Sequence, residues 1–176
     1  MADFSIRDVN LAEDTVALLQ LDTSFSSDRI FQVDTPEDGA VRLKPVAVPE
    51  AINVRLPFLL DGEPWQRGWV AIRGISIAGF IATTYSAWHR RLVIWDFYVD
   101  RPHRRGGIGR ALMDRAIGHG RELGATTAWV ETSNLNGPGV EAYGKMGFEI
   151  CGFDLTHYRG TQSEGQFAVF MSRSIE

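Results

Sequence analysis

The sequence predicts an α+β fold, in which helices pack on a mixed, mostly antiparallel, twisted sheet with a central parallel βαβ crossover. Short runs rich in β-branched and aromatic residues recur along the chain, and hairpin-like turns separate several of them. One strand pattern leads directly into a helix pattern and then into another strand pattern, over residues 90–132. Such a unit joins parallel neighbours through a right-handed crossover, whereas the hairpins predict antiparallel pairs.

The predicted elements can be assigned along the whole chain. The runs predicted as strands are residues 4–10, 67–74, 75–88, 90–100, 125–132, 148–158 and 166–174. The runs predicted as helices are residues 11–22, 107–124 and 137–148. Residues 24–49 predict a hairpin with its turn at Pro36–Gly39, and residues 45–66, which carry four prolines, predict a loop with some extended or helical structure.

Helix faces and helix ends follow from spacing and from glycine. In the first helix, the apolar residues Leu11, Val16 and Leu19 form a stripe at helical spacing. In the second, Leu112, Ala116 and Leu123 lie on one face. Gly124 and Gly147 are predicted to end the second and third helices, because glycine readily adopts the left-handed conformation.

Composition limits the functional class. The 176 residues predict a single domain over residues 1–176. A net charge of -4 argues against a nucleic-acid partner and fits a small cationic one. No signal segment or membrane span is visible, so we expect a cytoplasmic protein that does not bind membranes, either a monomer or a homodimer. The single cysteine, Cys151, is expected to be a small buried apolar residue, and the four scattered histidines predict no metal site.

An unusual concentration of arginine and glycine lies between a predicted strand and a predicted helix. This arginine–glycine turn spans residues 104–110, and its members are Arg104, Arg105, Gly106, Gly107, Ile108, Gly109 and Arg110. A helix N-terminus exposes backbone N–H groups, and glycine allows a ligand to approach them closely. The turn therefore predicts a site for a pyrophosphate or a similar polyanion, with the arginines adding attraction.

Two common nucleotide motifs fit this turn poorly. The dinucleotide fingerprint G-x-G-x-x-G is matched by Gly107 and Gly109, but Leu112 stands where the third glycine belongs. Glu131 follows these glycines at a distance along the chain that is plausible for a ribose-binding acid. The neighbouring strands, however, are predicted to be antiparallel rather than part of a repeated βαβ fold. The loop motif G-x-x-x-x-G-K-[ST] is absent.

A family resemblance accounts for the turn. Arg104, Gly107 and Gly109 fit the signature [R/Q]-x-x-G-x-[G/A], with which the GCN5-related N-acetyltransferases (GNAT) bind acetyl-coenzyme A. Further along, the chain resembles the pattern N-x-x-A-x-x-x-Y-x-x-x-G-F of the same family, with glycine at 139 in place of the usual alanine. The residues that match it are Asn136, Tyr143, Gly147 and Phe148. The segments at residues 83–99 and 131–161 are also similar to the streptothricin acetyltransferases, which acetylate an amine on the β-lysine part of these antibiotics.

The resemblance implies an acetyl-CoA-dependent N-acetyltransferase domain and a role for several residues. Backbone N–H groups of residues 105–110 would bind the pyrophosphate, and the strand before them would separate from its neighbour at a bulge. The freed backbone of Phe97, Tyr98 and Val99 would then bind the pantetheine arm, with Asn136 near the separation. Tyr143 would donate a proton to the leaving thiolate, for which a phenol of ordinary pKa about 10 is suited.

The base and the substrate contacts are less narrowly predicted. Asp96 and Glu131 are the candidate bases, with water as the alternative. Alternation along the strand places Asp96 and Tyr98 on one face of the sheet and Trp95, Phe97 and Val99 on the other. The candidate contacts to a cationic amine are Trp88, Asp96, Tyr98, Glu131, Asp154 and Tyr158. Two other functions stay open, namely acetylation of a different small amine or protein N-terminus, and a coenzyme A sensor without turnover.

Overall fold

A computed structural model describes residues 3–34, 41–56, 60 and 64–176. The chain divides into two compact units, which are described separately. The first unit comprises Met1–Ser24, Arg55–Val130 and Arg173–Glu176. The second unit comprises Phe25–Val54 and Glu131–Ser172.

The secondary structure confirms most of the predicted elements. The strands are β1 (Ser5–Asp8), β2 (Ser24–Asp34), β3 (Arg42–Arg55), β4 (Arg67–Arg73), β5 (Ser76–Ser86), β6 (Arg91–Val99), β7 (Thr127–Ser133), β8 (Glu149–Asp154) and β9 (Ala168–Ser174). The α-helices are α1 (Leu11–Leu19), α2 (Ile108–Glu122) and α3 (Gly137–Lys145). Short 3₁₀ turns span Ala87–His89 and Arg101–His103.

The first unit contains the predicted crossover. Its strands lie in the order β1-β4-β5-β6-β7, and each neighbouring pair is antiparallel except β6 and β7, which are parallel. Helix α2 joins those two strands, as a parallel connection requires. The predicted class, a mixed and mostly antiparallel sheet with one parallel βαβ unit, is confirmed.

Strand β6 carries a bulge and separates from β7 near its middle. Ile94 pairs with Thr83 but Asp96 pairs with the adjacent residue of β5, Ala82, so Trp95 is an extra residue in β6. The parallel register with β7 ends at the pair formed by Ile94 and Val130. The part of β6 beyond the bulge pairs with β5, and the predicted separation is confirmed on the side of β7.

The bulge limits the predicted alternation. Beyond it, Asp96 and Tyr98 pair with Ala82 and Phe80, which belong to the buried cluster beneath α1. Phe97 lies on the other face, where its ring approaches α2. Trp95 itself is 46% exposed, so strict alternation applies only after the bulged residue.

Helix α1 turns a different face to the core than its apolar spacing predicted. The predicted stripe is solvent-exposed, because Leu11 is 40% exposed, Val16 70% and Leu19 53%. The core contact is made by Leu18, which is fully buried. An acid on the buried face explains the error, since a charged residue hides the amphipathic pattern from sequence reasoning.

That acid is Asp14, which lies one turn before Leu18. Both of its carboxylate oxygens accept hydrogen bonds at 2.7 Å from the guanidinium of Arg7, and the backbone N–H of Asn10 donates a further bond at 2.8 Å. These hydrogen bonds, led by those from Arg7, hold the pKa of Asp14 below its usual value. The pairing compensates the burial of the carboxylate and fixes the orientation of α1.

Helix α2 follows its prediction with one exception. Leu112 and Ala116 are fully buried. Leu123, however, is 44% exposed, because the helix ends at Glu122 and the side chain leaves the buried face. Gly124 follows with φ +85°, so the predicted glycine at the helix end is confirmed.

In the second unit, β2 and β3 form the predicted hairpin as a two-stranded sheet. The predicted turn at Pro36–Gly39 falls outside the described residues. The sequence predicts a loop with some extended or helical structure over residues 45–66, and residues 45–55 are extended, because β3 continues there. Pro45 and Pro49 are tolerated there because each strand of a two-stranded sheet has an edge that needs no N–H donor.

The rest of the second unit is held by β8, β9 and a buried asparagine. Strands β8 and β9 pair antiparallel, with a register shift between Ile150 and Gly152. Cys151 lies at that shift and is exposed, so the predicted burial of its thiol is wrong. Asn134 bonds to two segments, because its amide N–H donates to Phe31 O at 3.1 Å and its amide oxygen accepts from Phe167 N at 3.0 Å.

Candidate active site

The arginine–glycine turn forms the start of α2 in the first unit. Gly107 has φ +84° and stands immediately before the helix. The first helical hydrogen bond from outside the helix runs from Ala111 N to Gly107 O at 3.0 Å, and the N–H groups of the first turn come before it in the chain. These donors, together with the partial positive charge of a 15-residue helix, suit an anionic ligand.

Two glycines of the turn have different physical roles. At Gly107 an added Cβ would meet no atom of the described residues within 4 Å, so the positive φ, rather than crowding, favours glycine. At Gly109 an added Cβ would lie 3.2 Å from Phe97 Cζ and 3.4 Å from Val99 Cγ2. Gly109 therefore lets α2 begin directly against the end of β6.

Arg104 and Arg105 of the turn differ in exposure and in hydrogen bonding. Arg105 is exposed and has φ +64°, a strained conformation for a residue with a side chain. The guanidinium of Arg104 instead donates to three backbone carbonyls, those of Val99, Ser24 and Asp22, at 2.6–2.9 Å. Burial lowers the pKa of Arg104. The guanidinium of Arg104 is therefore directed at backbone carbonyls, whereas the sequence predicts that it attracts a ligand phosphate.

The structure brings most of the predicted cofactor residues of the first unit together at one end of β6. Phe97, Tyr98 and Val99 lie beyond the separation from β7 and lead into the turn. Asp96 precedes them and is only 7% exposed.

Trp88 is not part of this group. It lies in the 3₁₀ turn before β6, and the nine residues of that strand, about 30 Å, separate it from the arginine–glycine turn. The indole is 86% exposed and stacks on the ring of His89, with centroids 3.9 Å apart.

In the second unit, Asn136 caps α3. Its side-chain oxygen accepts from Gly139 N at 2.9 Å, and its amide N–H donates to Thr132 Oγ1 at 2.9 Å. A Cβ at Gly139 would lie 2.3 Å from Asn136 Nδ2. The glycine that departs from the family pattern therefore accommodates the folded-back side chain of Asn136.

Tyr143 lies on the buried face of α3 and is 8% exposed. Its ring packs at 5.8 Å from the ring of Phe148, and its carbonyl accepts the N–H groups of Met146 and Phe148. Gly147, with φ +86°, makes this return of the chain possible. The last two residues of the predicted family pattern thus hold Tyr143 in place.

Glu131 and Tyr158, predicted separately, are joined in the structure. The hydroxyl of Tyr158 donates to Glu131 Oε1, and His157 Nε2 lies 3.9 Å from Glu131 Oε2. Burial raises the pKa of Glu131, although the hydrogen bond from Tyr158 and the nearby His157 oppose the shift. Sequence reasoning missed His157, whose one signal is its place next to Tyr158.

Asp154 closes a turn after β8. Its Oδ1 accepts both the N–H and the hydroxyl of Thr156 at 2.7 Å, and these bonds lower the pKa of Asp154. The charge of His157 acts in the same direction. His157 is therefore near both acids of this unit that were predicted to contact substrate.

Over residues 3–34, 41–56, 60 and 64–176, no group of three or more histidine, cysteine or acidic side chains is arranged to hold a metal ion. Within the same ranges, no helix has the length and apolar character needed to cross a membrane.

Comparison with known proteins identifies the class. Residues 30–148 match the acetyltransferase (GNAT) family. The match covers more than half of the chain, and the chain therefore belongs to that family, as the two motifs predicted. It is an acetyl-CoA-dependent N-acetyltransferase.

Particular relatives are close in sequence and structure. The streptothricin acetyltransferase of Streptomyces lavendulae is 40% identical over 171 residues, which cover 90% of this chain and 89% of that protein. The crystal structure of a nourseothricin acetyltransferase is 37% identical, with a TM-score of 0.90 and full coverage of both chains. A Bacillus anthracis structure in complex with acetyl coenzyme A, 24% identical with a TM-score of 0.79, covers 97% of this chain and 99% of that one and shares the fold.

Proposed function

We propose that this protein transfers the acetyl group of acetyl-CoA to a primary amine on the β-lysine part of a streptothricin-type antibiotic and so confers resistance. The observation that carries the proposal is the 40% identity to a streptothricin acetyltransferase over nine-tenths of the chain. The structural match to a nourseothricin acetyltransferase, with a TM-score of 0.90 and 37% identity, also supports it. The net charge of -4 suits a cationic substrate.

In this proposal, backbone groups hold most of the acetyl donor, acetyl-CoA. Acetyl-CoA supplies an acetyl group activated as a thioester. The N–H groups of residues 105–110 bind its pyrophosphate, the backbone of residues 97–99 binds its pantetheine arm, and Asn136 contributes near the reacting end. The α2 N-terminus with Gly107 at φ +84°, and the end of the β6–β7 register at Ile94, support this assignment.

Tyr143 acts as the general acid in this proposal. It donates its phenolic proton to the sulfur as the carbon–sulfur bond breaks, so the leaving group departs as a neutral thiol. The burial of Tyr143 and its packing against Phe148 support the role, because a proton donor needs a fixed position.

Glu131 is the proposed acceptor of the amine proton. As the new carbon–nitrogen bond forms, the carboxylate takes the proton that the nitrogen loses. The raised pKa of Glu131 brings it nearer to that of an amine and makes it a better base than an exposed carboxylate. Asp96, which is buried in β6, is the alternative base, and water is the third.

The remaining substrate contacts belong to the same proposal. Tyr158 orients Glu131 and lines the amine site, and Asp154 binds a second positive group of the substrate. Tyr98 and Asp96, at the end of β6 in the first unit, are the other proposed contacts. Trp88 is the weakest of these predictions, because the structure places it at the other end of that strand.

The proposal treats residues 1–176 as one N-acetyltransferase domain in the cytoplasm, where acetyl-CoA is available. It requires no metal, and it holds for a monomer or a homodimer.

A panel of acceptors tests the function. Release of free thiol from acetyl-CoA is followed with streptothricin, spermidine, lysine and a peptide with a free N-terminus. We expect rapid release with streptothricin and slow release with the other three. Faster release with the peptide or with spermidine would favour a different acetyltransferase, and binding of coenzyme A without release from any acceptor would favour a sensor.

A further inference from the structure

Arg104 contacts three separate places in the backbone of the first unit. Its Nε donates to Val99 O at 2.9 Å, one terminal nitrogen donates to Ser24 O at 2.6 Å, and the other donates to Asp22 O at 2.7 Å. Two of these acceptors are about 80 residues away in the chain. Each of the three guanidinium nitrogens therefore donates to a protein carbonyl.

A second set of bonds ties the same two segments together. Asp100 Oδ1 accepts from Asp22 N at 3.0 Å and from Arg101 N at 3.1 Å. Asp22 Oδ1 in turn accepts from Ser24 N at 2.9 Å. The segment at residues 22–24 is thus bonded to Asp100 through its N–H and to Arg104 through its carbonyls, so residues 22–24 and residues 99–104 form one hydrogen-bonded cluster.

The geometry requires arginine rather than a simple positive charge. A planar guanidinium presents donors in a fixed fork, whereas the ammonium group of lysine is a compact charge on a flexible stem. Without the fork, the carbonyls of Val99, Asp22 and Ser24 would lose a charged donor in a partly buried place, where an unsatisfied acceptor is costly. The path of the chain into Arg105 and Gly107 would then relax.

We propose that Arg104 is a positioning residue for the arginine–glycine turn, and that it acts through the carbonyls of Val99, Asp22 and Ser24 instead of through the phosphates of the cofactor. The proposal rests on the proposed binding of acetyl-CoA at this turn. Its consequence is that coenzyme A affinity depends on the cluster at residues 22–24, to which no cofactor role has been assigned. Binding should in turn protect the amides of Asp22 and Ser24.

Calorimetric titration with coenzyme A, with no acceptor present, tests this inference. Arg104→Met should weaken binding about 10- to 100-fold, the factor expected for lost charged hydrogen bonds. Arg104→Lys should recover little of the loss because it lacks the fork. At saturating acetyl-CoA, both variants should keep a kcat within about twofold of the parent, because Arg104 does not touch the reacting atoms.

Arg105→Ala is the matched control. Its side chain is exposed and on the same turn, so a long-range attraction for phosphate should act through it and be screened by salt. Coenzyme A binding by the Arg105 variant should therefore depend less on salt than binding by the parent, whereas Arg104→Met should keep the salt dependence of the parent. Hydrogen exchange should show protection of residues 22–24 by coenzyme A in the parent and in Arg105→Ala, but not in Arg104→Met.

Three results would overturn the inference. These are an affinity of Arg104→Met within about twofold of the parent, full recovery by Arg104→Lys together with a loss of salt dependence in Arg104→Met, or unchanged protection of residues 22–24. If Arg104→Met does not fold, Arg104→Lys and Asp100→Ala test the same cluster, and parental affinity in both contradicts it. Coenzyme A binding without acetylation of streptothricin would refute the proposed substrate alone, whereas no binding by the parent would refute both.

Discussion

The hydroxyl of Tyr158 donates a hydrogen bond to the carboxylate of Glu131, a residue 27 positions earlier in the chain. The bond favours the charged form of an acid whose pKa burial raises. The pair therefore holds a carboxyl group whose pKa stays above its usual value, which makes its carboxylate form more basic than an exposed one.

The first prediction concerns the pH dependence of acetylation. Removing the Tyr158 hydroxyl with Tyr158→Phe removes a bond that lowers the pKa of Glu131, so this pKa should rise further. The acidic limb of the kcat/KM profile should then move to higher pH. Tyr85→Phe, in the first unit, serves as the control and should leave the limb in place. A limb that persists unchanged in Glu131→Gln would assign it to another group, with Asp96 the next to test.

Replacing Glu131 is expected to change stability and activity in opposite directions at alkaline pH. A carboxyl whose pKa is raised by folding binds protons more tightly when folded, so its contribution to stability is lost as pH rises through the folded pKa. Glu131→Gln should therefore raise the unfolding temperature at pH 8 while it lowers kcat/KM. Thermal unfolding at pH 5 and pH 8 measures this, and a lower unfolding temperature at pH 8 would contradict it.

Asp154→Asn is the matched comparison for that experiment. The bonds from Thr156 lower the pKa of Asp154, so its stabilising contribution is present above the unfolded pKa and is lost as pH falls. This variant should lower the unfolding temperature at pH 8, the reverse of Glu131→Gln.

The proposed proton donor predicts a specific loss of turnover. Tyr143→Phe removes one hydroxyl from the buried face of α3 and should lower kcat about 10- to 10⁴-fold, the range for acid–base groups. Coenzyme A affinity should change little because the ring and its contact with Phe148 remain. Stopped-flow thiol release measures the step, and a parental rate would remove Tyr143 from the mechanism.

Helix glycines offer a test of the approach of α2 to β6. Gly109→Ala adds a Cβ 3.2 Å from Phe97 Cζ, so its free energy of unfolding should be about 1–3 kcal/mol lower than that of Gly118→Ala, and coenzyme A binding should weaken. Gly118→Ala, where the added Cβ meets none of the described atoms within 4 Å, should instead stabilise by about 0.5–1 kcal/mol. Equal effects of the two substitutions in urea unfolding would show that the contact with Phe97 is unimportant.

Gly139 offers a test of the α3 cap. Gly139→Ala restores the residue usual in the family pattern but places a Cβ 2.3 Å from Asn136 Nδ2. The displaced cap should cost about 0.5–2 kcal/mol in the free energy of unfolding. If urea unfolding gives no loss, the folded-back position of Asn136 is not what selects glycine here.

Local patterns in the sequence were sufficient for most strands, for the crossover and for the position of the arginine–glycine turn before α2. Left-handed glycines and the Gly107–Gly109 spacing depend on neighbouring residues alone, so a linear pattern records them. The face of α1 could not be predicted, because the pairing of Asp14 with Arg7 is a tertiary contact that makes an acid a core residue. The full length of β3 could not be fixed from the sequence for a related reason, since an edge strand tolerates the prolines that favour a loop.

The candidate site likewise contains residues that a linear motif predicts and contacts that depend on the folded chain. Tyr143 and Asn136 follow from a motif with fixed spacing. The contact of His157 with Glu131 and the three carbonyl partners of Arg104 bring together distant segments, and no periodicity connects residue 104 with residues 22–24. Arg104 shows most clearly what the sequence cannot predict. Its place in the arginine–glycine turn is visible in the sequence, but the direction of its guanidinium depends on the folded chain.

The central claim, acetylation of a streptothricin-type antibiotic, is tested most directly by mass spectrometry of the antibiotic after incubation with the protein and acetyl-CoA. The account predicts one added acetyl group, located by fragmentation on an amine of the β-lysine part, and its loss or strong reduction with Tyr143→Phe. An unmodified antibiotic, under conditions where the protein binds coenzyme A, would contradict the account.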